Sequence, residues 1–182
     1  AHIDAARTLG AQNNVGAVLS LGANGDGSLN DEAATATPIT DIVSADKDDV
    51  AAILYTSGTT GRSKGAMLTH NNLGSNAKTL HAAWGFKPGD TLLHALPLFH
   101  THGLFVAINI MLMNGGKVIL LPKFDADDVI ERLPQSTVLM GVPTFYTRLL
   151  SHPQFDKDVT ANMRLFVSGS APLLAETHDA FF

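Results

Sequence analysis

The 182 residues include no cysteine, which excludes a disulfide framework, a thiolate metal site and a cysteine nucleophile. Positive charge is scarce: 12 Lys and Arg stand against 17 Asp and Glu, and no Lys/Arg run occurs. The electrostatic footprint that nucleic acid or an anionic membrane needs is therefore missing. Long apolar runs are lacking too. The longest, Leu104 to Met113, is interrupted by Asn109 and falls short of the roughly 20 residues of a membrane span. No N-terminal segment has the charged, apolar and small-residue layout of a signal peptide. What remains is a chain with 45% hydrophobic residues and 16 glycines, about one domain long and able to bury an ordinary core. The expectation is a soluble, cytoplasmic protein with no nucleic-acid or membrane partner. Its first residues, AHIDAARTLG, lack an initiator Met, and HDAFF at its end falls inside helical spacing, so a piece of a longer protein is expected.

Residues 1–45 read as a partial subdomain and linker. An apolar run, Val15 to Leu21, leads into GANGDG, a turn or loop, and Ser28 to Ala36 reads as a short helix that Pro38 ends. Residues 46–182 are more regular. Strand-length apolar stretches recur at Val50–Tyr55, Thr91–Leu96, Lys117–Leu121, Thr137–Gly141 and Leu165–Ser168. Between them lie helical patterns. Leu73, Ala77, Leu80 and Trp84 share one face, which Gly85 ends; Val129, Ile130 and Leu133 share another; Pro143 opens a third helix carrying Phe145, Leu149 and Leu150. Strands alternating with helices predict an α/β fold, a mostly parallel sheet with helices on both faces. In such sheets ligands bind beyond the carboxyl ends of the strands.

The most informative segment is YTSGTTGRSKGAMLTH, Tyr55 to His70, predicted to follow a strand and precede a helix. Its hydroxyls (Thr56, Ser57, Thr59, Thr60) and the backbone N–H groups opened by Gly58 and Gly61 can donate to a polyphosphate, and Lys64 adds a point charge. The Walker pattern G-x-x-x-x-G-K-[ST] does not fit, nor does G-x-G-x-x-G. A ligand-free Gly/Ser/Thr loop is the competing reading. The G-x-S-x-G run of an α/β-hydrolase is absent.

Tyr55 to His70 resembles the signature phosphate loop of the adenylate-forming enzymes, which include acyl-CoA synthetases, nonribosomal peptide synthetase adenylation domains and luciferases. LPLFHTHG, Leu96 to Gly103, resembles their acyl-pocket motif, and VSGSAPL, Val167 to Leu173, resembles the loop bordering the adenine. The likeness runs from about Asp46 to the end. It is strongest to the malonyl-CoA synthetases, through LPLFHTHG, GVPTFYTRLL and SGSAPLLAETH. The resemblance implies part of the large N-terminal domain of such a ligase, with residues 46–182 forming an ATP- and acyl-binding subdomain truncated at its C-terminus. It also implies a two-step reaction. A carboxylate oxygen bonds to the α-phosphorus of ATP as pyrophosphate leaves, and the thiol of coenzyme A then displaces AMP from the acyl adenylate. ATP, Mg²⁺ and coenzyme A are the implied cofactors and substrates.

By the same resemblance, Thr56, Ser57, Gly58, Thr59, Thr60, Gly61 and Lys64 hold the β- and γ-phosphates, and Gly169, Ser170 and Ala171 lie against the adenine. From the residues alone, that second loop reads equally well as an ordinary strand-to-helix turn. His94, His100 and His102 invite a metal reading, but no carboxylate or cysteine near them in sequence completes a ligand set, so no metal site is assigned. His100 and His102, placed at the end of an apolar strand, are implied to line the pocket of the reacting carboxylate. Arg148 is a lone cation in the helix after GVP. Its fork can pair with the second carboxylate of malonate or methylmalonate, or it can snorkel to solvent. Lys123, in LLPKFD, is either a coenzyme A phosphate contact, as related ligases suggest, or a solvated surface lysine. The family's ribose-binding Asp, its hinge and its C-terminal domain are not found here, so this piece alone is expected to be inactive. An adenylation domain or ligase for another acid, and an inert nucleotide-binding fragment, are the alternatives.

Overall fold

The computed structural model describes residues 2–22, 24–56 and 63–181. The chain divides into two compact units, with the boundary after Ser44. The first holds helices α1 (Ile3–Gln12) and α2 (Ser28–Thr35). The apolar run after α1 forms no strand: Val18 packs where Gly10 has no side chain, and a Cβ there would come within 2.7 Å of it. Ser20 and Ser28 exchange backbone-to-hydroxyl hydrogen bonds of 3.0 and 3.2 Å, closing the loop before α2.

The second unit opens with an antiparallel hairpin, β1 (Val50–Thr56) and β2 (Lys64–Thr69). The segment follows a strand and precedes a helix as expected, and within it lies a further strand that the sequence pattern does not mark: Lys64 is registered opposite Thr56. Thr69 then caps α3 (His70–Ala83). Its hydroxyl accepts from the Asn72 N–H at 3.1 Å, while the Asn72 side chain accepts from the Thr69 N–H at 3.0 Å, so two otherwise unpaired donors are satisfied. Gly85, at φ +60°, follows the helix end.

The main sheet is four parallel strands in the order β4 (Lys117–Leu120), β3 (Thr91–His94), β5 (Val138–Gly141), β6 (Leu165–Ser168). Side chains alternate between two cores. Leu92, Val138 and Met140 face α3 and α4 (Asn109–Asn114), packing with Ala77, Ile110 and Met111. Leu93 and Leu139 face α5 (Ala126–Arg132) and α6 (Pro143–Leu150), packing with Val129, Ile130, Tyr146 and Leu149. Right-handed crossovers account for this: the chain leaves β3 in one direction and returns past it to β5, which places α4 and α5 on opposite faces. Each fully buried Leu contributes roughly 1.5–3 kcal/mol.

At the start of the strands, Asp90 is 4% exposed and accepts four hydrogen bonds. Arg164 donates to both oxygens, Thr137 Oγ1 donates at 2.9 Å and the Lys87 N–H at 2.7 Å. Arg164 also lies 5.5 Å from the centre of the Phe86 ring. This clamp fastens β3, β5 and β6 at the end of the sheet opposite the ligand loops. After β6, Ala175–Phe181 forms α7, where Phe181 meets Phe166 edge-on at 4.7 Å.

Candidate functional site

At the carboxyl ends of the four strands the connecting loops enclose a cleft of about 720 Å³. Its walls come from the loop after β3 (Leu96 to Gly103), the loop after β4 (Pro122 to Phe124), α6 with Phe145 in its first turn and Arg148 in its last, and Ser170 after β6. Because β3 lies between β4 and β5, the cleft opens where the strand order reverses, the usual ligand position in such sheets. It brings together His100, His102, Lys123, Arg148 and Ser170 from three separate loops and a helix.

The strand carrying the histidines ends earlier than expected, at His94. His100 therefore lies in a turn, and His102 opens a π-helical segment, His102–Ile108, that runs into α4. His94 is fully buried and braces this departure. Its Nδ1 accepts from the Leu96 N–H at 3.2 Å and its Nε2 donates to the Gly103 carbonyl at 3.0 Å, which sets the tautomer. Burial pulls its pKa below the ordinary value, with the Gly103 bond opposing and the neighbouring His102 adding to the shift. With both nitrogens engaged and the ring neutral, His94 is a brace. Gly103 has no room for a side chain, since a Cβ there would collide with the Pro97 carbonyl.

His102 is half-buried, and its Nδ1 shares a 3.1 Å hydrogen bond with Ser170 Oγ. Burial lowers its pKa, so at neutral pH it acts as a neutral hydrogen-bonding group, leaving Lys123 and Arg148 as the permanent cations of the cleft. The His102 ring lies on Gly169, where an added Cβ would come within 3.0 Å of the ring. Ser170 takes φ +69°, a left-handed backbone that costs a non-glycine residue about 1 kcal/mol or more, and the His102 bond helps to hold it there. Gly169→Ala is expected to push the imidazole off Ser170. NMR of the His102 ring should then show its hydrogen bond to Ser170 lost, while the melting temperature moves little.

Arg148 is exposed and takes part in none of the ion pairs among the described residues. Its Cζ stands 4.7 Å from the centre of the Phe124 ring, and Phe124 stacks on Phe145 at 3.9 Å and 20°. Lys123, beside Phe124, is also exposed. Neither Phe124 nor the His102–Ser170 contact is evident from the sequence; the only local signal for Phe124 is its position next to the singled-out Lys123.

Other residues lie elsewhere. Thr56 and Lys64 close the β1–β2 pairing, and Ser57, Gly58, Thr59, Thr60 and Gly61 fall outside the described residues. The Gly169 N–H donates to the Gly141 carbonyl at 3.0 Å, and Ala171 is exposed beyond the cleft lining. His81 bonds to Asn114 at 3.0 Å and His152 to Asp127 at 2.8 Å.

The chain carries a parallel α/β sheet with its cleft at the strand reversal, preceded by an antiparallel strand pair, and the sequence between those two strands is rich in glycine and hydroxyl residues. It belongs to the AMP-binding enzyme family, which it matches over residues 3–182. It is 41% identical over 145 residues to a mitochondrial malonate–CoA ligase of Mus musculus, covering 70% of this chain and 24% of that protein. The crystal structure of apo MatB from Rhodopseudomonas palustris superposes with a TM-score of 0.94 at 54% identity, over 99% of this chain and 36% of that one. A malonyl-CoA ligase ternary product complex with methylmalonyl-CoA and AMP bound matches at 37% identity and TM-score 0.73, over 80% of this chain and 32% of that one. The chain thus spans about a quarter of the curated relative and about a third of these solved structures.

Proposed function

We propose that the protein carrying this chain is an ATP-dependent acid:coenzyme A ligase acting on malonate or methylmalonate. The observation that carries the reading is Arg148, a cation outside every ion pair among the described residues, set with Lys123 in the wall of a largely apolar cleft. A fatty or aromatic acid has no use for a second fixed cation beside its tail. A dicarboxylate must have its distal charge neutralised there, and an Arg fork does so with two parallel hydrogen bonds. The reacting carboxylate then lies toward His100 and His102, near the Ser170 loop. The names of the malonate–CoA ligase and of the methylmalonyl-CoA complex among its relatives support the same substrate class.

In this reading the acid is activated at the α-phosphorus of ATP, and Lys64, with the hydroxyls and N–H groups of residues 56–61, neutralises the departing pyrophosphate. Among the described residues no group of three His, Asp or Glu side chains is placed to hold a metal. Mg²⁺, which nucleotide phosphates commonly carry with few protein ligands, would supply charge neutralisation there beside Lys64. Gly169, Ser170 and Ala171 take the adenine, and Lys123 takes a phosphate of coenzyme A. The remaining nucleotide and thiol contacts belong to the two thirds to three quarters of the relatives' length outside this chain, including a C-terminal domain.

The test is malonate-dependent pyrophosphate release by the full-length protein with ATP and coenzyme A. Lys64→Ala is expected to lower kcat about 10²-fold, the loss typical of removing one oxyanion-stabilising donor. Release that does not depend on the added acid, or a Lys64→Ala variant as fast as the parent, contradicts the reading.

A further inference from the structure

We propose that Phe124 is a positioning residue that holds the Arg148 guanidinium ready for the distal carboxylate of the substrate; this rests on the dicarboxylate reading above. Three residues from two elements meet at the contact. Phe145 and Arg148 lie one turn apart on α6, and Phe124 reaches them from the loop after β4, stacked on Phe145 at 3.9 Å and lying under the Arg148 Cζ at 4.7 Å.

The ring is anchored while the guanidinium is not. Phe124 and Phe145 both pack against the buried cluster of α5 and α6. The next residue, Asp125, caps α5 by accepting the Asp127 N–H at 3.1 Å, which fixes the backbone that carries the ring. Arg148 is exposed, and the aromatic face is its one recorded side-chain partner among the described residues. Stacking occupies the flat face of a guanidinium and leaves its in-plane N–H edges free. Those edges are the ones a carboxylate takes bidentately. Held over the Phe124 ring and outside every ion pair among the described residues, Arg148 has no acidic partner there to compete with the substrate for its N–H groups.

The consequence is quantitative. A long, exposed side chain samples many rotamers, and a site whose competent state is only partly populated binds more weakly in proportion to that fraction. The stack raises the competent fraction before substrate arrives. Its removal should raise the KM of the dicarboxylate by about 3–10-fold, the scale of an exposed cation–π contact together with lost pre-organisation. The kcat should stay unchanged, because Phe124 touches no reacting atom.

The experiment is a double-mutant cycle on the full-length protein, with malonate and propionate as paired substrates. Phe124→Leu is expected to raise the malonate KM about 3–10-fold, to leave kcat and the propionate parameters unchanged, and to have no further effect in an Arg148→Ala background. Phe124→Tyr keeps the π face and should behave as the parent. Phe124→Met fills similar space without that face and should match Phe124→Leu, so the cycle can still be read if the smaller side chain perturbs folding. Phe124→Leu and Phe124→Met at the parent's malonate KM, with Arg148→Ala impaired, would overturn the positioning role and leave the dicarboxylate reading intact. Equal losses on malonate and propionate would make Phe124 a simple wall residue. An Arg148→Ala variant with unchanged malonate kinetics would overturn both.

Discussion

Arg148→Ala is expected to reduce kcat/KM for malonate by about 10²-fold while leaving propionate, a monocarboxylate with the same three-carbon chain, close to its parent value. Hydrogen bonds to charged groups contribute roughly 1.5–3 kcal/mol each, and the exposure of Arg148 to water reduces the bidentate pair to about the value of one strong bond of this kind. A loss near 2.7 kcal/mol corresponds to about 100-fold at 1.36 kcal/mol per decade. The contrast between the two acids is the informative part, because they differ at the group that Arg148 is proposed to bind. Steady-state kinetics on the purified full-length variant supply the readout. Arg148→Lys should recover only part of the loss, since an ammonium keeps the charge but neither the fork nor the stacking face. The exposure of Arg148 argues that the folded state does not depend on it, so its melting temperature should stay near that of the parent.

The second large effect concerns stability. Asp90→Asn removes the charge from a carboxylate that accepts four hydrogen bonds and leaves Arg164 with no ionic partner. Breaking a buried pair from one side costs about 3–5 kcal/mol. The Arg164 side chain is 27% exposed, which places the expected loss at about 2–3 kcal/mol once screening by water is allowed for. Urea denaturation should show a lower midpoint with the slope retained. The pH dependence has a definite sign. Burial pushes the Asp90 carboxyl up, but hydrogen bonds from Arg164, the Lys87 N–H and Thr137, with the Arg164 charge, outweigh it and hold the pKa below the ordinary 3.8. A depressed carboxylate stabilises the fold fully above its unfolded pKa, and that contribution fades as pH falls through the lower folded value. The gap between parent and Asp90→Asn should therefore be constant near pH 7 and shrink below about pH 4.

How much of this was legible in the chain follows from the range of each interaction. The central strands β3 and β5 are buried on both faces and read as the short apolar runs TLLH and VLMG; the half-buried edge strands KVIL and LFVS are mostly apolar as well, so the place of all four in an α/β sheet followed. The stop of α3 at Gly85 is local and was visible as well. Strand β2 was not: KGAMLT is largely exposed, so it shows no burial pattern, and it lies inside a motif that draws attention to its glycines. Helix α1 was missed because its mostly exposed residues, IDAARTLGAQ, bury only Gly10. The π-helical turn HGLFVAI follows neither the helical nor the strand period and read only as an apolar run.

The site shows the same division. Arg148, Lys123, His100 and His102 stood out singly because each is an unusual residue type in its local setting. Their grouping is a product of topology, since the strand reversal brings three loops and a helix to one cleft. The contacts that tune them join distant residues. His102 and Ser170 are 68 positions apart, Asp90 and Arg164 are 74 apart, and Phe124 meets Arg148 across a whole strand and helix. No local pattern encodes such pairs.

The most direct measurement is the substrate profile of the full-length protein: kcat/KM for malonate, methylmalonate and propionate, each with ATP and coenzyme A, followed by thioester formation. The account predicts that malonate or methylmalonate exceeds propionate by about 10²-fold, the value of one bidentate carboxylate contact. Propionate or a longer monocarboxylate turning over as well as malonate would contradict it.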